Sequence, residues 1–501
     1  MRARSLMVQG TMSGVGKSWL VAGLCRVLAQ DGYRVAPFKS QNMALNSGVT
    51  AEGLEMGRAQ LIQAEAAGVE PTVAMNPVLL KPTTDTGSQV IVRGKPVATM
   101  PARDYFAYKH QLKDQIRSSF EELASSFDVV LIEGAGSPVE LNLKRDDIVN
   151  MGVAKMASSP VLLVGDIDRG GVFAQLAGTM MLLDEDERRM VKATVVNKFR
   201  GDATLFEEGL DILRELTGVP VAGLVPYLKV DIDDEDSMSE RLSHRSHDEA
   251  LDVAVVRLPK LSNFTDFSAL EACTGVGVRY VAHPSELGAP DLLVLPGTKA
   301  TMADLRWLRT QGLDKAIRSL AAAGTPVLGI CGGYQMLGLE LSDPYGIEGG
   351  GRMEGLGLLP VRTEFGPDKR TTRTEARFCE VRGALAALTG AQTLGYEIHM
   401  GSTQMAGGEP LLTLRAPDGG QFFDGCQSGS VYGCYLHGLF DSAEVSQALV
   451  AALRAAKGLE GDTAAGIDMA AYRERQYDAL AAGIRASMDM DLVYRIIEEG
   501  L

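Results

Sequence analysis

Long apolar runs are missing from this 501-residue chain. No stretch reaches the ~18 consecutive hydrophobic residues that a membrane-crossing helix needs, so no membrane partner is expected. Basic clusters are missing too. Lysine and arginine total 49 against 64 acidic residues, a net charge of −15. Nucleic-acid binders present a basic face, so nucleic acid is not an expected partner. An anionic ligand would need a locally positive site working against the overall field. The six cysteines, at positions 25, 273, 331, 379, 426 and 434, form no CxxC pair. A zinc or disulfide framework is therefore not expected, and the thiols fit a reducing, cytoplasmic setting. The opening MRARSLMVQG has two arginines but lacks the apolar core of a secretory signal.

What remains is an ordinary globular balance, 46% hydrophobic and 23% charged, in a chain long enough for two or three domains. The 56 glycines follow no G-X-Y period and imply many tight turns. In the first half, apolar segments alternate with amphipathic ones: Ser5–Gln9, Asp128–Ile132, Pro160–Gly165, Ala193–Asn197 and Gly218–Pro226 read as strands, and Lys17–Gln30 as a helix. That alternation predicts an α/β fold whose parallel sheet is covered by helices. Six acids between Asp231 and Glu240 then predict an exposed connector. A second series of apolar strands (Val253–Leu258, Asp291–Leu295, Pro326–Ile330) predicts a second, similarly built domain. Past Gly351 shorter strands and turns are expected, and from Ser442 an alanine-rich helical tail. The tail is expected to pack on the second domain, with the first also within reach.

The segment GTMSGVGKS follows the first strand and opens the first helix. Successive backbone N–H groups in such a loop can cradle phosphates, with the helix N-terminus adding positive partial charge. Gly14 and Gly16 allow the tight turn, Lys17 would reach the β- and γ-phosphates, and Ser18 would ligate Mg²⁺. Thr11 stands where the usual pattern has its first glycine. A magnesium ion also needs a carboxylate. Glu133, at the end of the strand VVLIE, is the first candidate; Asp166 and Asp168, just past another strand end, are the others. Asn197 could hydrogen-bond the adenine ring of ATP.

In PVLGICGGYQ a buried strand runs straight into Cys331, two glycines follow, and a helix begins. A strand–turn–helix elbow exposes a nucleophile to substrate. The Gly332 N–H would give one oxyanion donor, and the turn at Gly297 in LPGT a second. A thiol nucleophile needs a base. Among the six histidines, His437, directly after an apolar strand, is the choice; His399 is its competitor and would otherwise contact substrate.

GICGGYQ with a downstream YLHG resembles the class I glutamine amidotransferases. GTMSGVGKS with IEGAG resembles the dethiobiotin synthetase-like P-loop group. Their fusion in this order is similar to the glutamine-hydrolysing corrinoid amidases, and PFKSQNMALNS, EMGRAQ, VGDIDRGG and NKFRGD extend the likeness over nearly the whole chain. The resemblance implies two α/β domains: an ATP-dependent synthase domain over residues 1–230 and an amidotransferase domain over 250–445. Residues 231–249 would be the acidic linker and 446–501 a helical extension. It implies ATP, Mg²⁺ and L-glutamine as reactants or cofactors. The implied activity is amidation of the b, d, e and g carboxylates of adenosylcobyrinic acid a,c-diamide. Lys39, Asn42 and Arg58 would then contact the anionic corrinoid. Two alternatives stand beside it: amidation of two other corrinoid carboxylates by a sister enzyme, or a P-loop regulatory ATPase carrying a silent amidotransferase-like module. The second rests on one departure: many class I glutaminases have a glutamate two residues after the histidine, where this chain has Leu439.

Overall fold

The computed structural model describes residues 3–83, 86–233, 249–416, 419–459 and 466–501. Apolar segments without polar alternation must be covered on both faces. Five of them and Val35–Phe38 form a six-stranded parallel sheet in the order Val221–Pro226, Val191–Phe199, Val161–Asp166, Arg4–Gly10, Val129–Glu133, Val35–Phe38. The first strand is central, and the chain crosses from one side of it to the other between Val129–Glu133 and Val161–Asp166. Such a reversal opens a crevice at the carboxyl ends of the strands. The phosphate loop lies at that end, and Lys17–Gln30 leaves it as a helix. A four-stranded sheet (Gln41–Met43, Val78–Pro82, Gly87–Val92, Lys95–Pro101) and the hairpin Ser47–Val49/Glu55–Gly57 are inserted after Val35–Phe38.

A second six-stranded sheet runs Val276–Val281, Leu251–Val256, Leu292–Leu295, Val327–Ile330, Val431–Cys434, Cys426–Ser428, parallel except for the last pair. From Gly351 on, five strands are three or four residues long, as expected, but two are far longer. Val361–Phe378 is a single strand of 18 residues, paired antiparallel with the 14-residue Gln392–Met405. Gly366-Pro367 reads as a turn in sequence, yet the register merely shifts between Glu364 and Lys369 there, as a bulge permits. These long arms carry His399 and reach the hairpin strand Ser47–Val49 of the first half.

Most of the expected connector is not described, and the expected helical tail is present. Residues 234–248, with most of the acidic run and with His244 and His247, lie outside the described residues. Asp233 is described, and it is buried. The tail divides between the two halves. Ala443–Ala456 joins the second core through Val445, Leu449 and Leu453. Met469–Ser487 and Met490–Glu499 join the first, where Leu480 and Ile484 pack beside Lys17–Gln30. Gly23 makes that close approach possible: a Cβ there would sit 2.7 Å from Ile484 Cγ1.

Candidate active site

The phosphate loop has the backbone its glycines require. Gly14 and Gly16 have φ of 75° and 91°, which disfavour residues with a Cβ. Asn197 donates from Nδ2 to Val15 O at 2.7 Å, so this amide braces the underside of the loop. Lys17 is buried and donates to Met12 O (3.1 Å) and Gly136 O (3.3 Å). Ser18 Oγ donates to Glu133 Oε1 at 2.8 Å. Lys39 Nζ meets the same oxygen at 2.9 Å, and Gln63 Nε2 donates to Oε2 at 2.6 Å.

Ser18 and Glu133 thus meet, as a shared metal ion requires. No group of three or more His, Cys, Asp or Glu suited to a metal exists among the described residues. One hydroxyl and one carboxylate fit Mg²⁺, which takes few protein ligands and fills its octahedron with phosphate oxygens and water. Asp166 faces the same cleft and, like Glu133, is engaged: its carboxylate holds Lys198 Nζ at 3.0 Å and the Asp168 N–H at 2.9 Å.

The cleft beside the loop has a volume of about 1500 Å³ and is lined by Lys39, Asn42, Tyr105, Glu133 and Asp166 among others. Arg58 does not line it. Its guanidinium is buried against Asp233 Oδ2 (Nη2 2.8 Å), and Ser268 Oγ donates to Asp233 Oδ1 at 2.7 Å. Arg58 therefore ties the first half, the connector and the second half together, although its partner Asp233 does line the cleft. That pairing is invisible in the local sequence, since the acidic partner lies 175 positions away.

In the second half Cys331 ends the strand Val327–Ile330 with φ 52° and ψ −109°, an unusual backbone for a residue with a side chain. The elbow depends on its glycines: a Cβ on Gly333 would lie 1.9 Å from Leu295 O, and one on Gly332 2.7 Å from Thr298 Cγ2. Gly297 is equally close to the base, since a Cβ there would lie 3.0 Å from His437 Cε1. Cys331, Thr298, His399 and His437 line one small pocket. His399 is stacked on Tyr435, with ring centroids 3.7 Å apart, and its Nδ1 lies 3.0 Å from Gly401 O. Lys299 also lines this pocket, its ammonium pKa pushed down by burial and by Lys369 and Lys81.

Asp266 completes the site, and sequence reasoning missed it. Its Oδ2 lies 2.7 Å from His437 Nδ1, and its Oδ1 accepts the Gly438 N–H at 2.9 Å. Burial alone would lower the imidazole pKa, but the Asp266 carboxylate and the Cys331 sulfur outweigh it and push it up to about 10. The carboxylate belongs to the short helix Phe264–Phe267, 171 positions before the histidine. Nothing local to His437 could have located it. A thiol on an elbow, an imidazole and a carboxylate have the arrangement that a Cys–His–Asp triad requires.

A P-loop cleft with a hydroxyl–carboxylate pair, joined to a thiol triad on a second parallel sheet, defines a glutamine-dependent amidoligase. Residues 6–239 match the CobQ/CobB/MinD/ParA nucleotide binding domain and residues 252–445 the CobB/CobQ-like glutamine amidotransferase domain. Cobyric acid synthase from Ruminiclostridium cellulolyticum is 54% identical over 503 residues, spanning 100% of this chain and 98% of that relative. The enzyme of the same name from Lachnoclostridium phytofermentans is 50% identical over 516 residues, with 100% of both chains covered. That from Yersinia enterocolitica is 50% identical over 505 residues, covering 99% of this chain and 98% of the relative. The chain belongs to the cobyric acid synthase family.

Proposed function

We propose that this chain converts adenosylcobyrinic acid a,c-diamide to cobyric acid, amidating the b, d, e and g carboxylates with ammonia drawn from glutamine. The observation that carries the reading is one chain holding Cys331, His437 and Asp266 together in its second half and a cleft of about 1500 Å³ beside the phosphate loop. Residues 1–230 supply the synthase domain and 250–445 the glutaminase, in a cytoplasmic enzyme that works on small molecules without nucleic acid or membrane. No helix among the described residues is long and apolar enough to cross a membrane.

At the glutaminase site, Cys331 attacks the glutamine amide carbon with its proton already held on His437. The Gly332 N–H and a donor from the Gly297 turn receive the oxyanion. His437, held charged by Asp266, protonates the amide nitrogen, which leaves as neutral ammonia, and water then hydrolyses the thioester to glutamate. His399 shapes the substrate pocket. At the synthase site a corrinoid carboxylate attacks the γ-phosphorus of ATP, giving an acyl phosphate and ADP. Ammonia displaces phosphate to leave the amide. Lys17 and the amides around Gly14 and Gly16 steady the charge on the moving phosphoryl group, and Asn197 keeps that loop in shape. Ser18 and Glu133 would hold Mg²⁺, which supplies charge neutralisation there; Asp166 stands by as a further oxygen ligand. Lys39 and Asn42 face the acceptor. Ammonia is mostly protonated in neutral water, so a shielded path between the sites favours the transfer.

The silent-module alternative loses its ground, because Asp266 supplies from another element the carboxylate that Leu439 replaces. Incubation with Mg-ATP, glutamine and the a,c-diamide tests the proposal: one ADP, one phosphate and one glutamate should appear per amide formed. ADP and glutamate without any corrinoid amide would contradict it.

A further inference from the structure

The glutaminase base is seated on the synthase side of the molecule. Asn263 starts the short helix that carries Asp266; its φ is 53°, and its carbonyl accepts the Asp266 N–H at 3.0 Å. Asn263 Nδ2 donates to Ser47 O at 3.2 Å, and the next residue, Phe264, donates its N–H to Asn46 Oδ1 at 3.3 Å. A second tether runs to the same place. The Tyr396 ring stacks on His437, centroids 5.4 Å apart and planes 22° from parallel. Its hydroxyl donates to Ser47 O at 3.3 Å and lies 3.0 Å from Asn263 Nδ2. Tyr396 and His437 also exchange backbone hydrogen bonds of 3.1 and 2.8 Å. Asn46 and Ser47 are both buried. They lie two residues beyond Gln41–Met43, whose Asn42 and Met43 line the large cleft.

We propose that the Asn46–Ser47 segment is a positioning element for the glutaminase. It holds His437 in line with Cys331 through two routes, Asn263 to Asp266 and Tyr396 to the imidazole face. The triad is thus complete only when the two halves are seated on each other. Hydrogen bonds of this kind set orientation more than stability, and misplacing a base by a fraction of an ångström slows the chemical step without weakening substrate binding. This inference rests on the glutaminase part of the proposed function and does not depend on which corrinoid is amidated.

The test is the full-length enzyme with Asn46→Ala and with Tyr396→Phe, which keeps the stacked ring and removes the hydroxyl. Glutamine hydrolysis should lose about tenfold in kcat in each variant with KM within about twofold. The double variant should lose little more than the worse single one, because both act through one seat. Ammonium-supported amidation should stay within about twofold of wild type, since the synthase cleft is untouched. Unchanged kcat in both variants overturns the proposal. So does an equal fall with glutamine and with ammonium, which marks a general folding contact, or a rise in KM at constant kcat, which marks a substrate contact. A wild-type enzyme that hydrolyses glutamine but amidates no corrinoid sinks the acceptor assignment alone; the kcat comparison then still decides the seat, with melting temperature as the folding control.

Discussion

His437 Nδ1 and Asp266 Oδ2 stand 2.7 Å apart, both buried, although 171 positions separate them in the chain. The pair fixes which imidazole nitrogen faces Cys331. Changing Asp266 to Asn keeps an acceptor for the Gly438 N–H but removes the charge. Glutamine hydrolysis should fall by about 100-fold or more, as when other triads lose their carboxylate, while amidation from ammonium persists. A glutamate-release assay beside an ammonium-supported assay checks this.

The same pair makes stability depend on pH. His437 is raised to about 10 in the folded chain, above the ~6.5 of an unfolded histidine. Its stabilising contribution is therefore complete below about pH 6.5 and disappears as pH rises through about 10. Melting temperatures of wild type and Asp266→Asn should differ most near pH 6 and converge toward pH 10. A gap that widens with pH would contradict the sign.

Arg58 is expected to matter for stability and not for corrinoid affinity. Arg58→Met leaves the Asp233 carboxylate buried without its partner, a loss of about 3–5 kcal/mol for a broken buried pair. Denaturant unfolding should show that loss, and the KM for corrinoid in the remaining folded enzyme should be unchanged.

Gly333→Ala tests the elbow. Its Cβ would fall 1.9 Å from Leu295 O, a backbone atom of a central strand. Overpacking at such a place costs about 2 kcal/mol or more, and displacement of Cys331 should abolish glutamine hydrolysis. Equilibrium unfolding and the glutamate assay read the two effects separately.

At the other site, Ser18→Ala removes the hydroxyl that meets Glu133. ATP-dependent amidation should slow by about 10- to 100-fold with either nitrogen source, and half-saturation should move to higher Mg²⁺. Glutamine hydrolysis measured alone should be preserved. A Mg²⁺ titration of both activities checks it.

Features that depend on neighbours in sequence were legible before the structure. Lys17–Gln30 could be bounded because a glycine loop ends at its first residue, and the Cys331 elbow because strand, glycines and helix are contiguous. Features made by distant residues were not. Asp266 sits in NFTDFSALE, where an aspartate reads as an ordinary helix-start residue. Asp233 belongs to an acidic run that reads as solvent-exposed, but Arg58 and Ser268 draw it inside. The strand Val361–Phe378 was hidden by Gly366-Pro367, whose turn signal became a register shift within a long pairing. Local chemistry was readable; the long-range pairing of charges was not.

The central claim is that one chain generates ammonia at Cys331 and spends it on corrinoid carboxylates at the P-loop cleft. Mass spectrometry of the a,c-diamide after incubation with Mg-ATP tests this most directly, with wild type and Cys331→Ala each given glutamine or ammonium. Each amide replaces OH by NH₂, so products form a ladder of four steps. The account predicts the full ladder for wild type with either nitrogen source, and for Cys331→Ala with ammonium alone. An unchanged corrinoid mass under every condition, or a Cys331→Ala enzyme that still uses glutamine, would contradict it.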